Sequence, residues 1–292
     1  MENNLRLHRS PLDASQIDWR RMAEPQEDQY DTQITLELAR QGGYRRRGVG
    51  TCPTFMNGKV AIRPDTTIVF APDCIPVDPN HPNIAKGEAL LYHWFDVYRQ
   101  LQQLVDSVSI FFYTPHPFDL ITGSICGPGG DGFGTIATTI NHHVGFAEAL
   151  VHEMAHHKLR TLGVHFDKAE RLIINLKEET FPSPIRYDCL RPMTAVLHAQ
   201  YSYTYVSALD IHIINNDSDD ERNYQIAKGS LAWNLPKLQF GLSVLRKHAQ
   251  VDEAGAAFIA GLYDWLDWVM QQGYSLLQKF RVEPQRFAHP LL

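Results

Sequence analysis

The sequence predicts an α+β fold: a mainly helical single domain in which a small β-sheet in the N-terminal half packs on one central helix. Three observations lead there. β-type runs such as Val60-Ala61-Ile62 and Val108-Ser-Ile-Phe-Phe-Tyr113 are confined to residues 59–140. From residue 141 helical patterns dominate as far as Gln278. No repeat or clear linker divides the 292 residues, and 44% hydrophobic content with 11% aromatics suffices for one sizeable core.

Each element follows from local chemistry. Residues 1–58 are polar and turn-rich and read as a lead-in subdomain, with a helix from Thr32 to Gln41 closed by Gly42-Gly43. Residues 59–140 hold a small sheet and a helix. Val60-Ala61-Ile62 and Thr67-Ile-Val-Phe70 are strands separated by the turn former Pro64-Asp65, and Asp73 to Asn83 is a Pro/Asp/Asn loop. Gly87 to Ser107 predicts one amphipathic helix burying Leu90, Leu91, Trp94, Phe95, Tyr98, Leu101 and Leu104. Val108 to Tyr113 and Thr135 to Ile140 are strands, and Gly123 to Gly134 is too rich in glycine for regular structure. That stretch lacks the Lys-Ser/Thr ending of a phosphate loop and precedes a strand, so a loop over a site mouth is the expectation. In the helical half, 141–292, Phe146, Leu150, Val151, Met154 and Leu159 form an apolar stripe that buries a helix. Pro192 suits the first turn of a second helix, and Met193 to Asn215 then runs without Gly or Pro.

Charge and composition exclude several classes. A net charge of -6 gives no basic footprint for nucleic acid, and Arg45-Arg46-Arg47 reads as a solvated loop. No run of about 18 apolar residues exists to span a membrane. The amino terminus lacks the apolar core of a signal peptide, so the expected location is cytoplasmic. Cys52, Cys74, Cys126 and Cys189 are dispersed without a Cys-x-x-Cys pair, as reduced structural thiols would be.

The chemistry concentrates in His152-Glu153-Met154-Ala155-His156. On a helix the i and i+4 imidazoles share a face, so both rings can hold one metal ion with Glu153 beside them. Two side chains fix a metal weakly, and a third ligand is sought among Glu170, Glu178, Glu179, Asp188, His198 and Asp210. Arg191 and His198 are seven residues apart, nearly two helical turns, so a histidine and a fixed cation would face one place, with Tyr201 and Tyr205 continuing that face.

Four blocks carry a resemblance. They are Phe133-Gly134-Thr135-Ile136-Ala137, the motif stretch Ala147 to Leu159, Ser183-Pro184-Ile185-Arg186, and Arg191-Pro192-Met193 on through His198 to Tyr201. Together they resemble the His-Glu-x-x-His family of 2-oxoglutarate-dependent peptide β-hydroxylases, which accompany ribosomally made, modified peptides. Where that family shows Pro-Trp-Arg-Asp-Asp-Pro-Arg-Pro, this chain reads Pro184-Ile-Arg-Tyr-Asp-Cys-Leu-Arg-Pro192, without the Trp and one Pro and with one extra residue. The resemblance implies a zincin-like setting for the motif helix and an iron dioxygenase using Fe(II), 2-oxoglutarate and O2. It implies His152, His156 and His198 as metal ligands and Arg191 as the cation for 2-oxoglutarate. A hydroxylase in a natural-product pathway would follow, acting on the β-carbon of a peptide, or on a free or carrier-bound amino acid.

Two chemistries remain open at this stage. A zinc peptidase would use Glu153 as general base on metal-bound water. An iron oxygenase needs open metal positions for a 2-oxoacid and dioxygen, and a cation for the distal carboxylate, which Arg191 could supply through a bidentate pair with Tyr201 nearby. With three histidines on the metal, Glu153 would orient a ligand or be one itself.

Overall fold

The computed structural model describes residues 12–63, 74–114, 123–126, 132–186, 188–216 and 220–287. The sheet strands are β1 (Thr54–Phe55), β2 (Val60–Ile62), β3 (Cys74–Pro76), β4 (Ser107–Tyr113), β5 (Ser124–Cys126) and β6 (Thr135–Thr139). Their order is β1-β2-β4-β6-β5, with β2, β4 and β6 parallel. β3 pairs antiparallel with the far end of β4, along the edge that β2 occupies at its start. The centre of the sheet is buried, and Ser107, Ser109, Thr138 and Thr139 are enclosed there beside its apolar residues. Val60, Ala61, Val108, Ile136 and Ala137 are all buried.

Seven helices are present among the described residues: α1 (Tyr30–Gln41), α2 (Pro82–Tyr92), α3 (Phe95–Leu104), α4 (His143–Thr161), α5 (Met193–Asn216), α6 (Glu221–His248) and α7 (Glu253–Phe280). The motif lies in α4, which is buried along almost its whole length between the sheet, α2, α3 and α5. The expected apolar stripe is only part of that burial, since α5 covers the side the histidines face. α2 crosses α4 at Gly87, where a Cβ would stand 2.6 Å from the Phe146 ring, so glycine is what permits the approach. One apolar core runs from Ile17 and Trp19 through the sheet to Leu277, and the lead-in segment joins it through α1.

Several expected elements differ. The single helix over Gly87–Ser107 is two, α2 and α3. The chain breaks at His93–Trp94, and Trp94 stacks on His212 at 5.0 Å. Phe95 is half exposed rather than on the buried side. Cys74–Pro76, expected as loop, is a strand because β4 offers it a free edge, and Ser124–Cys126, inside the glycine-rich stretch, pairs with β6. The strand expected over 67–70 lies outside the described residues, as do 127–131 of the glycine-rich stretch. Between α4 and α5 the described residues form no helix but hold isolated bridges and a hairpin of β7 (Thr180–Pro182) and β8 (Leu190–Pro192). Pro182, Pro184 and Gly163 work against helix here, and Pro192 ends β8 instead of opening α5.

Candidate metal centre

α4 presents the motif as the spacing requires. The Nε2 atoms of His152 and His156 lie 3.1 Å apart with the rings edge to face. Two nitrogens that each bond one ion at about 2.1 Å can stand up to about 4 Å from one another, so this pair can share a metal. Glu153 Oε1 is 4.0 Å from His152 Nε2. Among the described residues, His152, Glu153 and His156 are the group whose ligand atoms converge, all within 4.8 Å. Two imidazoles and a carboxylate suit a divalent transition metal.

The electrostatics keep these donors ready. Burial lowers the His152 ring, and burial together with the neighbouring imidazoles of His152 and His198 holds His156 well below its ordinary value. Both are therefore neutral at pH 7, with lone pairs available. Glu153 is 3% exposed, and Ser124 Oγ donates to its Oε1 at 2.6 Å. Cys126, from the same short strand, has its thiol pushed up by burial and then by Glu153, so it stays a thiol.

A cavity of about 130 Å³ opens on His152 and His156. Its other walls are Phe166, Ser183 and Ile185 from the inter-helix segment, Arg186, Arg191 from β8, and Ala195, Ala199, Ser202 and Tyr203 from α5. Arg191 thus reaches the site from a strand, held by the pairing of Phe181 with Arg191, not from a helix turn shared with His198. Its guanidinium makes no ion pair among the described residues, whereas Arg186 is bound by Asp188 through two bonds of 2.8 and 2.7 Å.

The structure places His198 beside the motif but away from the converging ligand atoms. Its Nδ1 lies 3.1 Å from His156 Nδ1, the nitrogen remote from His152, and its Nε2 lies 2.8 Å from the Val164 carbonyl. Burial pushes this ring down to about 3. Tyr201, expected at the cosubstrate, is in the core instead: it is fully buried, contacts Tyr205, Phe258 and Trp265, and directs its hydroxyl to Met22 O. The reason is geometric. The side of α5 that lines the cavity is Ala195, Ala199 and Ser202, at i, i+4 and i+7, and Tyr201 points away from that line. Tyr203 takes the tyrosine position at the site, edge-on to the His152 ring at 5.2 Å. Of the other carboxylates considered as ligands, Glu178 is exposed and the remaining four are engaged elsewhere. Glu170 lies 3.7 Å from His165, Glu179 accepts from Leu176 N, Asp188 holds Arg186, and Asp210 faces Glu148.

Sequence reading missed Ser124, Arg186 and Tyr203. Only the small-residue line Ala195/Ala199/Ser202 was visible as a signal, since small side chains at helical spacing leave room beside a helix. Compared with known proteins, the chain matches no protein-family model and no curated protein. Among the described residues no helix is long and apolar enough to cross a membrane.

Proposed function

We propose that this chain is a non-haem Fe(II)/2-oxoglutarate-dependent oxygenase with a zincin-like motif helix, hydroxylating an unactivated C–H of a peptide or amino-acid substrate. The β-carbon and a natural-product pathway follow from the family resemblance. One observation carries the reading: Arg191, without an ion pair among the described residues, lines the same cavity as His152 and His156. A 2-oxoacid with a second carboxylate needs such a cation, and a planar guanidinium can grip it bidentately.

His152 and His156 would hold the ion, with Glu153 as the carboxylate that completes a two-histidine, one-carboxylate set. When bound, Fe(II) supplies the chemistry in which dioxygen and 2-oxoglutarate become succinate, carbon dioxide and the hydroxyl oxygen of the product. Ser124 Oγ steadies Glu153 through its 2.6 Å bond. Phe166, Ile185, Ala195 and Ala199 make part of the wall apolar, which keeps water from the reacting carbon. A zinc peptidase is the second reading, favoured by the seat of Glu153 beside His152, where a general base would stand. It gives Arg191 no task.

The test is a titration of 2-oxoglutarate into anaerobic, iron-loaded protein, followed by the charge-transfer absorption of the chelate. Arg191→Ala leaves the distal carboxylate unpaired and should weaken binding by roughly 2–5 kcal/mol with iron retained. Arg191→Lys should be damaged as well. A binding curve unchanged in the alanine variant sinks the oxygenase assignment, and zinc in place of iron with peptide hydrolysis replaces it.

A further inference from the structure

We propose that His198 is a positioning residue that fixes the proton of His156 on Nδ1 and so frees its Nε2 for the metal. This rests on the reading of His152 and His156 as metal ligands, and it gives His198 a part distinct from that of a third ligand.

The inference starts at the end of α4. Gly163 adopts φ +88°, a left-handed conformation that glycine takes without strain. Gly163 N then bonds Arg160 O, and Val164 N bonds Leu159 O at 2.9 Å, the paired bonds of a Schellman turn. That turn fixes the direction of the Val164 carbonyl, which meets His198 Nε2 at 2.8 Å. A carbonyl oxygen only accepts, so His198 carries its hydrogen on Nε2. The ring is fully buried over Phe166 at 4.2 Å and pairs with no carboxylate among the described residues, so burial favours the uncharged imidazole, whose Nδ1 is a bare lone pair. That lone pair faces His156 Nδ1 at 3.1 Å and can only accept. His156 must therefore be the Nδ1–H tautomer, which leaves the Nε2 lone pair facing His152 Nε2. The opposite arrangement would set two lone pairs against each other at Val164, at a distance where a hydrogen belongs.

The order of causes runs from one glycine, through a carbonyl and a buried imidazole, to the tautomer of a ligand. Metal-binding histidines need this kind of outer partner, and losing it costs about 10–100-fold in metal affinity. A second imidazole in that place, instead of a carboxylate, adds no negative charge to the site.

The first measurement needs no metal: long-range 1H–15N correlation spectra of the metal-free, full-length protein labelled at histidine nitrogen. His198 should appear as the Nε2–H tautomer and His156 as the Nδ1–H tautomer, and His156 with its proton on Nε2 overturns the inference. The second is Co(II) affinity by chelator competition. His198→Leu should bind about 10–100-fold more weakly. His198→Asn, whose Oδ1 stands near the place of the lost Nδ1, should recover most of the affinity with an unchanged d–d spectrum. Equal affinity in the leucine variant, or an asparagine variant with an altered spectrum, also overturns it. If the leucine variant fails to fold, the tautomer spectra and the asparagine variant still decide. Wild-type protein that binds neither Co(II) nor Fe(II) refutes the metal reading itself, and the tautomers remain separately readable.

Discussion

Helix α4 carries a buried charge cluster on each side of its histidines, and the two are built in opposite ways. Toward the C-terminal end, Lys158 is fully buried with its Nζ 2.5 Å from Asp31 Oδ2 and 2.6 Å from the Tyr205 hydroxyl. Gln26 N and Gln100 Nε2 take further lone pairs of Asp31, and Tyr205 donates to Gln100 Oε1 at 3.0 Å. Burial works against the ammonium, but the charge and bonds of Asp31 outweigh it and hold Lys158 above its ordinary value. Toward the N-terminal end, Glu148 meets Asp210, and among the described residues no other side chain donates to either oxygen of Asp210. Two carboxylates can hydrogen-bond only through a shared proton. Burial pushes Glu148 up to about 7, and burial with the facing Glu148 pushes Asp210 well above the usual carboxylate range. The difference teaches that a buried charge persists on this helix only where an opposite charge and a full set of hydrogen bonds surround it; elsewhere the group takes up a proton.

The largest expected effect comes from breaking the satisfied cluster. Lys158→Met leaves Asp31 charged and unpaired in the core and should lower stability by about 3–5 kcal/mol, read from urea unfolding midpoints. Adding Asp31→Asn to it should recover a good part of the loss, because the uncompensated charge is then gone. A single variant within 1 kcal/mol of wild type, by that roughly threefold shortfall, would deny the ion pair its role.

The unsatisfied cluster should respond with the opposite sign. A carboxyl whose folded value is raised stabilises the fold fully below its unfolded value, and that contribution is lost as pH climbs through the folded one. For Glu148 the window runs from its ordinary range up to about 7. Glu148→Gln should therefore flatten the fall of Tm between weakly acid and neutral pH. At pH 8 the variant should exceed wild type by on the order of 2 kcal/mol. A variant less stable than wild type at both ends of that range rules out a shared proton. Smallest is Tyr205→Phe, which removes one acceptor for Lys158 and one donor to Gln100 while keeping the ring against Trp265. Thermal unfolding should register about 1–2 kcal/mol, and a change below the noise would mean that water replaces the hydroxyl.

The same contrast marks what could be read in advance. The motif helix, the strands over residues 60–62 and 108–113, and the run from Met193 to Asn215 were legible, because each depends on side-chain period and on glycine and proline placement within one segment. The two polar clusters were not, although Glu148, Lys158, Asp31 and Asp210 stood in plain view. Nothing local distinguishes Lys158, buried against a partner 127 residues away, from the exposed lysine its type predicts. Arg191 lines the cavity beside His152 and His156, but from strand β8 and not from the helix turn expected of it, since β8 owes its existence to β7 and not to its own short sequence.

By itself, then, the sequence determined that His152 and His156 share a helix face with Glu153 beside them, because four residues make nearly one turn whatever surrounds it. It also determined the α+β class through where each periodicity holds. Tertiary structure alone decided which nitrogen of His156 meets His198, which side of α5 lines the cavity, and which buried charges find a partner. Those outcomes depend on how helices cross, and a crossing is set by packing between segments far apart in the chain, as Gly87 is from Phe146 and Asp31 is from Lys158.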